Sequence, residues 1–335
     1  MKLTPGKLAG MKSVSDSRGV IAAAAMDQRG SLQKSLATAR GAEVTGHDLE
    51  VFKTLVTDVL CQHASAILLD PEFGLPASKQ RHGKGLLLAY EKTGYDSNTP
   101  GRLPDLLDVW SVRRLKEAGA DCIKILLYYT PFEKQPINDL KQAWIERIGD
   151  ECVANDIAFF LEFVGYDAEG GDEKSAAYAT KKPSIVAGAM KEFSKPRYNV
   201  DVLKVEVPIV MEFVEGTKAF KGEKAYTRAE ALQHFRDAET ATNLPFIYLS
   251  AGVSNPVFIE TLELAGESGT KYNGVLCGRA TWKDGIAVYA QKGEQAFRDW
   301  LESTGVENID NVNKGLQSAS PWFLKYGVKS MDELN

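Results

Sequence analysis

A lysine interrupts one of the most apolar stretches of the chain. Asp201-Val-Leu-Lys204-Val-Glu206-Val-Pro208 reads as a buried strand in which an ammonium group has no structural purpose. Burial of such a group is costly unless chemistry uses it. Desolvation disfavours the charged form, so an interior site pushes the amine toward neutrality, the state that attacks a carbonyl. Two other charged residues break apolar runs upstream: Lys124 in Cys122-Ile-Lys-Ile-Leu-Leu127, and Glu162 in Ala158-Phe-Phe-Leu-Glu-Phe-Val164. Each alone reads equally well as a strand-end charge reaching solvent. Mid-strand placement of all three on consecutive strands favours a common task.

The chemistry open to such a cluster is specific. A second cation beside Lys204, the role expected of Lys124, and a dry pocket both favour the neutral amine. That amine adds to a ketone, water leaves, and the iminium withdraws electrons from a bond two carbons away, so a carbon–carbon bond can break or form. Dehydration and cleavage also need a group that gives and takes protons. Glu162, flanked by Phe160 and Phe163, is the expected shuttle, its apolar neighbours raising it toward neutrality.

These residues must be held by something regular. Short β-branched and apolar runs recur at about 19–27, 64–70, 85–91, 121–128, 157–164, 200–207, 246–251 and 272–279, with helical patterns between them. The helical pieces lie at about 48–63, 105–119, 139–155, 183–194, 227–241, 256–268 and 284–302, and Gly119, Gly269 and Gly293 sit where helix ends need them. Eight strand–helix units without a Gly-rich fingerprint after the first strand predict an α/β fold, a (β/α)8 TIM barrel, over a doubly wound sheet. With no linker-like break in composition, residues 1–335 read as a single domain with extra terminal helices and rim insertions. The segments 165–182 and 208–226 follow strands five and six on the expected active-site rim, as lids or as solvated insertions.

Barrel chemistry gathers at the carboxyl ends of the strands. There the sequence places Asp27-Gln28-Arg29-Gly30, Asp70-Pro-Glu72, Glu91-Lys92, Ser250 and Gly278-Arg279. Period-two alternation puts Lys204 and Glu206 on one face with Val202. Loops after strands seven and eight often bind phosphate, and Ser250-Ala-Gly252-Val-Ser254 with Gly278-Arg279-Ala280 suits that: glycines admit backbone N–H groups, Ser250 donates, and Arg279 offers a planar fork. Tight turns use the same residue types, so each motif alone is weak. A zinc-dependent route would need three clustered ligands. His47, His63, His82 and His234 fall in helix-like or loop segments instead, so no metal is expected.

Bulk properties restrict the alternatives. A formal net charge of -5, with basic residues spread along the chain, argues against nucleic-acid binding. No run approaches the ~20 apolar residues of a membrane span. The four cysteines, Cys61, Cys122, Cys152 and Cys277, lack paired spacing and read as reduced, packed thiols of a cytoplasmic protein. The run from Gly19 to Met26 imitates a signal-peptide core but ends directly in Asp27-Gln28-Arg29.

Taken together, several blocks resemble the class I tagatose 1,6-bisphosphate aldolase family: Asp27-Gln-Arg-Gly30, Leu69-Asp-Pro-Glu-Phe-Gly-Leu-Pro76, Leu87-Leu-Ala-Tyr-Glu-Lys-Thr-Gly-Tyr95, Val202 to Pro208, Tyr248 to Ser254, and Gly274 to Trp282. The resemblance implies a (β/α)8 barrel, Schiff-base catalysis without metal or other cofactor, and reversible cleavage of D-tagatose 1,6-bisphosphate to dihydroxyacetone phosphate and glyceraldehyde 3-phosphate. It implies fructose 1,6-bisphosphate as a second substrate and a place in lactose, galactose and tagatose catabolism. By position, Lys204 matches the Schiff-base lysine and Glu162 the proton-transfer carboxylate, with Lys124 and Asp27 beside them. Gln28, Ser250, Gly252, Gly278 and Arg279 match substrate or phosphate contacts, and Arg29 is grouped with them. A homodimer is expected by analogy. The competing readings are a related aldolase of sulfonated ketohexose phosphates, a lysine-based decarboxylase or transaldolase-like enzyme, and a non-catalytic sugar-phosphate sensor on the same scaffold.

Overall fold

The computed structural model describes residues 3–92 and 99–334. Eight parallel strands follow one another around a closed barrel in chain order: β1 (Ile21–Met26), β2 (Ala66–Leu69), β3 (Gly85–Ala89), β4 (Cys122–Tyr128), β5 (Ala158–Val164), β6 (Val202–Val205), β7 (Phe246–Leu249) and β8 (Gly274–Cys277). Pairing of β1 with β8, Ile21 opposite Gly274, closes the ring. The expected (β/α)8 architecture is therefore the observed one. Most strands end earlier than their apolar runs, because the polar residues at their carboxyl ends leave the ladder and turn into the rim. Of the block spanning 87–95, residues 93–95 lie outside the described residues.

The helices are α1 (Pro5–Ser13), α2 (Gly30–Arg40), α3 (Gly46–Leu60), α4 (Leu75–Ser78), α5 (Val112–Glu117), α6 (Gln135–Ala154), α7 (Ala176–Phe193), α8 (Arg228–Thr240), α9 (Asn255–Glu267), α10 (Arg279–Trp282), α11 (Gly285–Trp300) and α12 (Val306–Gly315). Local chemistry sets their starts. Thr45 with Asp48, and Thr227 with Glu230, form reciprocal capping boxes at α3 and α8. The helix expected over 105–119 is confined to Val112–Glu117, where Ser111 caps it, because Leu106 is drawn into a bridge with Glu91. Gly119 and Gly269 adopt positive φ just past helix ends, as expected, whereas Gly293, with φ +83°, breaks α11 internally.

Side chains facing into the barrel, among them Ala23, Leu68, Leu87, Phe160 and Ile247, pack with Leu8 and Met11 of α1 and with Trp322 and Phe323 near the carboxyl terminus. The two terminal segments thus close the amino end of the barrel, and Trp322 Nε1 donates to Ser15 Oγ at 2.8 Å. Outward-facing strand residues meet the helix layer in a second, larger core. The barrel is therefore filled below, and a cavity opens at the carboxyl ends of the strands.

Both rim segments keep a solvated stretch, one of the two readings open from the sequence, but each is more confined than the pattern suggested. The first shortens to 165–175, because α7 starts at Ala176 after its Ser175 cap and runs straight through Pro183. Proline at 183 has no N–H for the carbonyl of Ala179, four residues back. The Tyr226 hydroxyl supplies the missing donor to that carbonyl. Tyr226 ends the second segment, where Ile209, Phe213 and Val214 are also buried, so its two ends are packed against the body while much of 215–224 is exposed, and no part of it lines the central cavity.

Candidate active site

Alternation along β4, β5 and β6 turns Lys124, Glu162, Lys204 and Glu206 into the barrel. Glu162 and Lys204 are register partners on adjacent strands. Lys204 Nζ lies 2.9 Å from Glu162 Oε2, and Lys124 Nζ lies 2.8 Å from the same oxygen. Lys124 also donates to Asp27 Oδ2 at 2.9 Å and to Glu91 Oε1 at 2.7 Å. Two ammonium groups therefore meet three carboxylates, the pairing that makes a buried lysine tolerable.

This geometry alters two expectations. Lys124 was expected to act on Lys204 as a second cation; it is one, but three carboxylates around it offset its charge. Burial alone would lower the Lys124 ammonium; Asp27, Glu162 and Glu91 outweigh it and hold the group firmly protonated. Glu162 was expected to feel mainly apolar neighbours, yet its Oε2 is shared by two ammonium groups and Phe163 points to the opposite face of the strand. Asp27 is held well below the usual carboxylate range: burial opposes ionisation, and the charges of Lys124 and Lys204 overcome it. Glu91 moves the other way, raised because burial outweighs Lys124 and Arg29. Its Oε2 has no hydrogen-bond partner.

The candidate catalytic and binding residues line one cavity of about 510 Å³: Lys204, Glu162, Lys124 and Asp27 at its floor, then Gln28, Arg29, Ser250, Gly252, Gly278 and Arg279; Asp70 and Glu72, also noted at strand ends, are not part of its lining. The buried Oε1 of Gln28 has no hydrogen-bond partner. Arg29 is different. Its guanidinium bonds Glu72 Oε2 and the Glu91 carbonyl, each at 2.7 Å, so two of its nitrogens brace neighbouring protein groups, while its buried Nε has no partner. Across the cavity, Ala251 (φ +49°) and Gly252 (φ +79°) form a left-handed turn. A side chain at 252 would put its Cβ 2.8 Å from Arg279 Cζ, so glycine both permits the turn and leaves the guanidinium its place. Lys283 Nζ donates to the Gly252 carbonyl at 3.0 Å and pins the loop. Ser250, the glycine backbone and Arg279 form an edge suited to a phosphate dianion.

Two further residues support the site: Glu206, already placed on the face of Lys204 by the sequence, and Lys53, which was not singled out. Glu206 Oε1 pairs with Lys182 at 3.1 Å and its Oε2 accepts from Gly165 N at 2.7 Å, tying α7 and the 165–175 loop to β6. Lys53 is fully buried beneath the β1 and β2 ends. Its position was readable: it falls on the apolar face of α3, four residues after Leu49 and three before Val56. No histidine lines the cavity, and among the described residues no three His, Cys, Asp or Glu side chains are grouped to hold a metal ion. The four cysteines are free and buried, and burial pushes the Cys61 and Cys277 thiols up to about 12. Among the described residues, no helix is long and apolar enough to cross a membrane.

A closed parallel barrel with a lysine–carboxylate cluster at its open end defines a class, and comparison with known proteins assigns the family. Residues 21–284 match the model of the DeoC/LacD family aldolase. The chain belongs to that family. It is 53% identical over 329 residues to tagatose 1,6-diphosphate aldolase of Listeria monocytogenes serotype 4a (strain HCC23), covering 98% of this chain and 96% of that one. The enzyme of the same name from Staphylococcus haemolyticus (strain JCSC1435) is 55% identical over 321 residues, covering 95% and 98%, and that of Lactococcus lactis subsp. lactis is 53% identical over 324 residues, covering 96% and 99%. Among solved structures, fructose-bisphosphate aldolase from Plasmodium falciparum superposes with a TM-score of 0.70 over 96% of this chain and 97% of that one. At 14% identity this likeness speaks to the fold alone.

Proposed function

We propose that the protein is a class I aldolase that reversibly cleaves D-tagatose 1,6-bisphosphate to dihydroxyacetone phosphate and glyceraldehyde 3-phosphate, through an imine on Lys204 and without a metal. The observation that carries this reading is the 2.9 Å approach of Lys204 Nζ to Glu162 Oε2 at the floor of the cavity. Glu162 lies within reach to take a proton from Lys204, and the freed amine adds to the C2 ketone. Glu162 then protonates the departing hydroxyl, water leaves, and the iminium forms. Glu162, ionised again by that step, takes the C4 hydroxyl proton and the C3–C4 bond breaks; its electron pair moves into the iminium, giving an enamine and releasing glyceraldehyde 3-phosphate. Protonation at C3 and hydrolysis return Lys204 and dihydroxyacetone phosphate. Lys124, kept protonated by its carboxylates, holds Glu162 in place and stabilises the oxygen charge that develops. Asp27 holds Lys124 and faces the substrate hydroxyls.

Ser250, Gly252, Gly278 and Arg279 receive one phosphate in this reading, and Gln28 contacts the sugar. The names of the relatives support tagatose over the sulfonated sugar. Fructose 1,6-bisphosphate, which differs only in the configuration of one hydroxyl, is proposed as a second substrate. We read residues 1–335 as one cytoplasmic domain that associates as a homodimer. Borohydride reduction in the presence of dihydroxyacetone phosphate is expected to leave a stable adduct, located on Lys204 by mass spectrometry, while chelators leave activity intact. A chain that turns over bisphosphate but gives no adduct, or loses activity to chelators, does not use this mechanism.

A further inference from the structure

Lys53 is a fully buried cation that the proposed chemistry does not touch. It reaches from α3 under the carboxyl ends of β1 and β2, and each of its three N–H donors has an acceptor. These are the Met26 carbonyl at 2.7 Å, the Gln28 carbonyl at 2.7 Å, and Asp70 Oδ2. Met26 and Gln28 are the neighbours of Asp27 on either side. A single ammonium therefore clamps the main chain before and after the residue whose carboxylate meets Lys124 at 2.9 Å. Asp70 fixes the other end of the clamp, since its Oδ1 accepts from Glu72 N at 3.1 Å and Phe73 N at 2.8 Å.

Ordinary core building does not require this arrangement. An apolar residue would fill the α3 face with no desolvation cost, and a buried ion pair is seldom a net source of stability. What the ammonium adds is direction. Carbonyls 26 and 28 both turn toward one point, and the peptide between them has little freedom left to rotate the Asp27 side chain away from Lys124. Small displacements at such a site translate into large losses of rate.

We infer that Lys53 is a positioning residue for the aldol reaction, setting Asp27 on Lys124 through the backbone on both sides of residue 27. This rests on the proposed role of Asp27 and Lys124, and the test separates the two. Lys53→Met is combined with Asp70→Asn, so that no interior charge is left unpaired and Asp70 keeps an acceptor for residues 72 and 73. The double variant is expected to fold and to lose about tenfold or more in kcat with KM changed less than about threefold. Added to Asp27→Asn, the same pair of changes is expected to cost little more than Asp27→Asn alone, within about twofold, because the clamp acts through Asp27. Wild-type kcat in the double variant, or a full additional loss on top of Asp27→Asn, overturns the inference. An Asp27→Asn variant with wild-type kcat overturns the assigned role of Asp27 itself.

Discussion

Glu162 and Lys204 stand side by side on β5 and β6, register partners whose Oε2 and Nζ atoms are 2.9 Å apart. Because the same oxygen also meets Lys124 at 2.8 Å, Glu162 bridges a lysine suited to be a nucleophile and one that is kept charged. The contact predicts that Glu162→Gln, which keeps the volume but not the proton transfer, lowers kcat about 10²–10⁴-fold. Single-turnover kinetics in the cleavage direction measure it. A variant within a few fold of wild type would remove Glu162 from the proton path.

At the opposite wall, Gly252 leaves room for Arg279 and adopts φ +79°. Gly252→Ala is expected to displace the guanidinium and strain the turn by about 1–2 kcal/mol. KM for the bisphosphate should rise about tenfold or more while kcat falls less, as expected when phosphate binding is lost and the reacting centre is spared. Steady-state kinetics read the split, and a loss confined to kcat would contradict the phosphate assignment.

The Tyr226 hydroxyl satisfies the Ala179 carbonyl that Pro183 leaves open. Tyr226→Phe keeps the ring and strands that carbonyl in the interior, which should destabilise the fold by about 1–3 kcal/mol in urea unfolding. Activity of the folded fraction should not change, since residue 226 does not line the cavity.

Lys141 is buried, donates to the Tyr166 hydroxyl at 2.9 Å, and is lowered to about 7, chiefly by burial and also by Arg102. In the unfolded chain it titrates near about 10.4. Between these values the unfolded state holds a proton that the folded state has released, so stability from this group rises with pH above about 7 and is lost as pH falls through it. Its slope is at most about 1.4 kcal/mol per pH unit. Subtracting urea-derived stabilities of Lys141→Met from those of wild type across about pH 7–9 should isolate that slope. A flat difference would mean that Lys141 stays charged in the fold.

Much of the site was legible in the sequence because strand chemistry is periodic. A lysine at 204 between Leu203 and Val205, and a glutamate at 162 between Leu161 and Phe163, violate burial rules in a way only chemistry or pairing can justify, and the eight-fold alternation says where such residues gather. Order around the barrel followed from the same pattern, since each strand–helix unit leads directly to its neighbour.

Pairing across the barrel was decided only by the tertiary structure. Asp27 and Lys124 are ninety-seven residues apart along the chain, and the distance between β1 and β4 side chains depends on barrel closure and stagger, which no local window encodes. Thus Arg29, grouped from sequence with the anion contacts, bonds Glu72 and Glu91, and Lys124, expected as a second cation beside Lys204, also meets three carboxylates. Residue identity fixes what a side chain is able to do; the closed ring of strands fixes which partners it does it with.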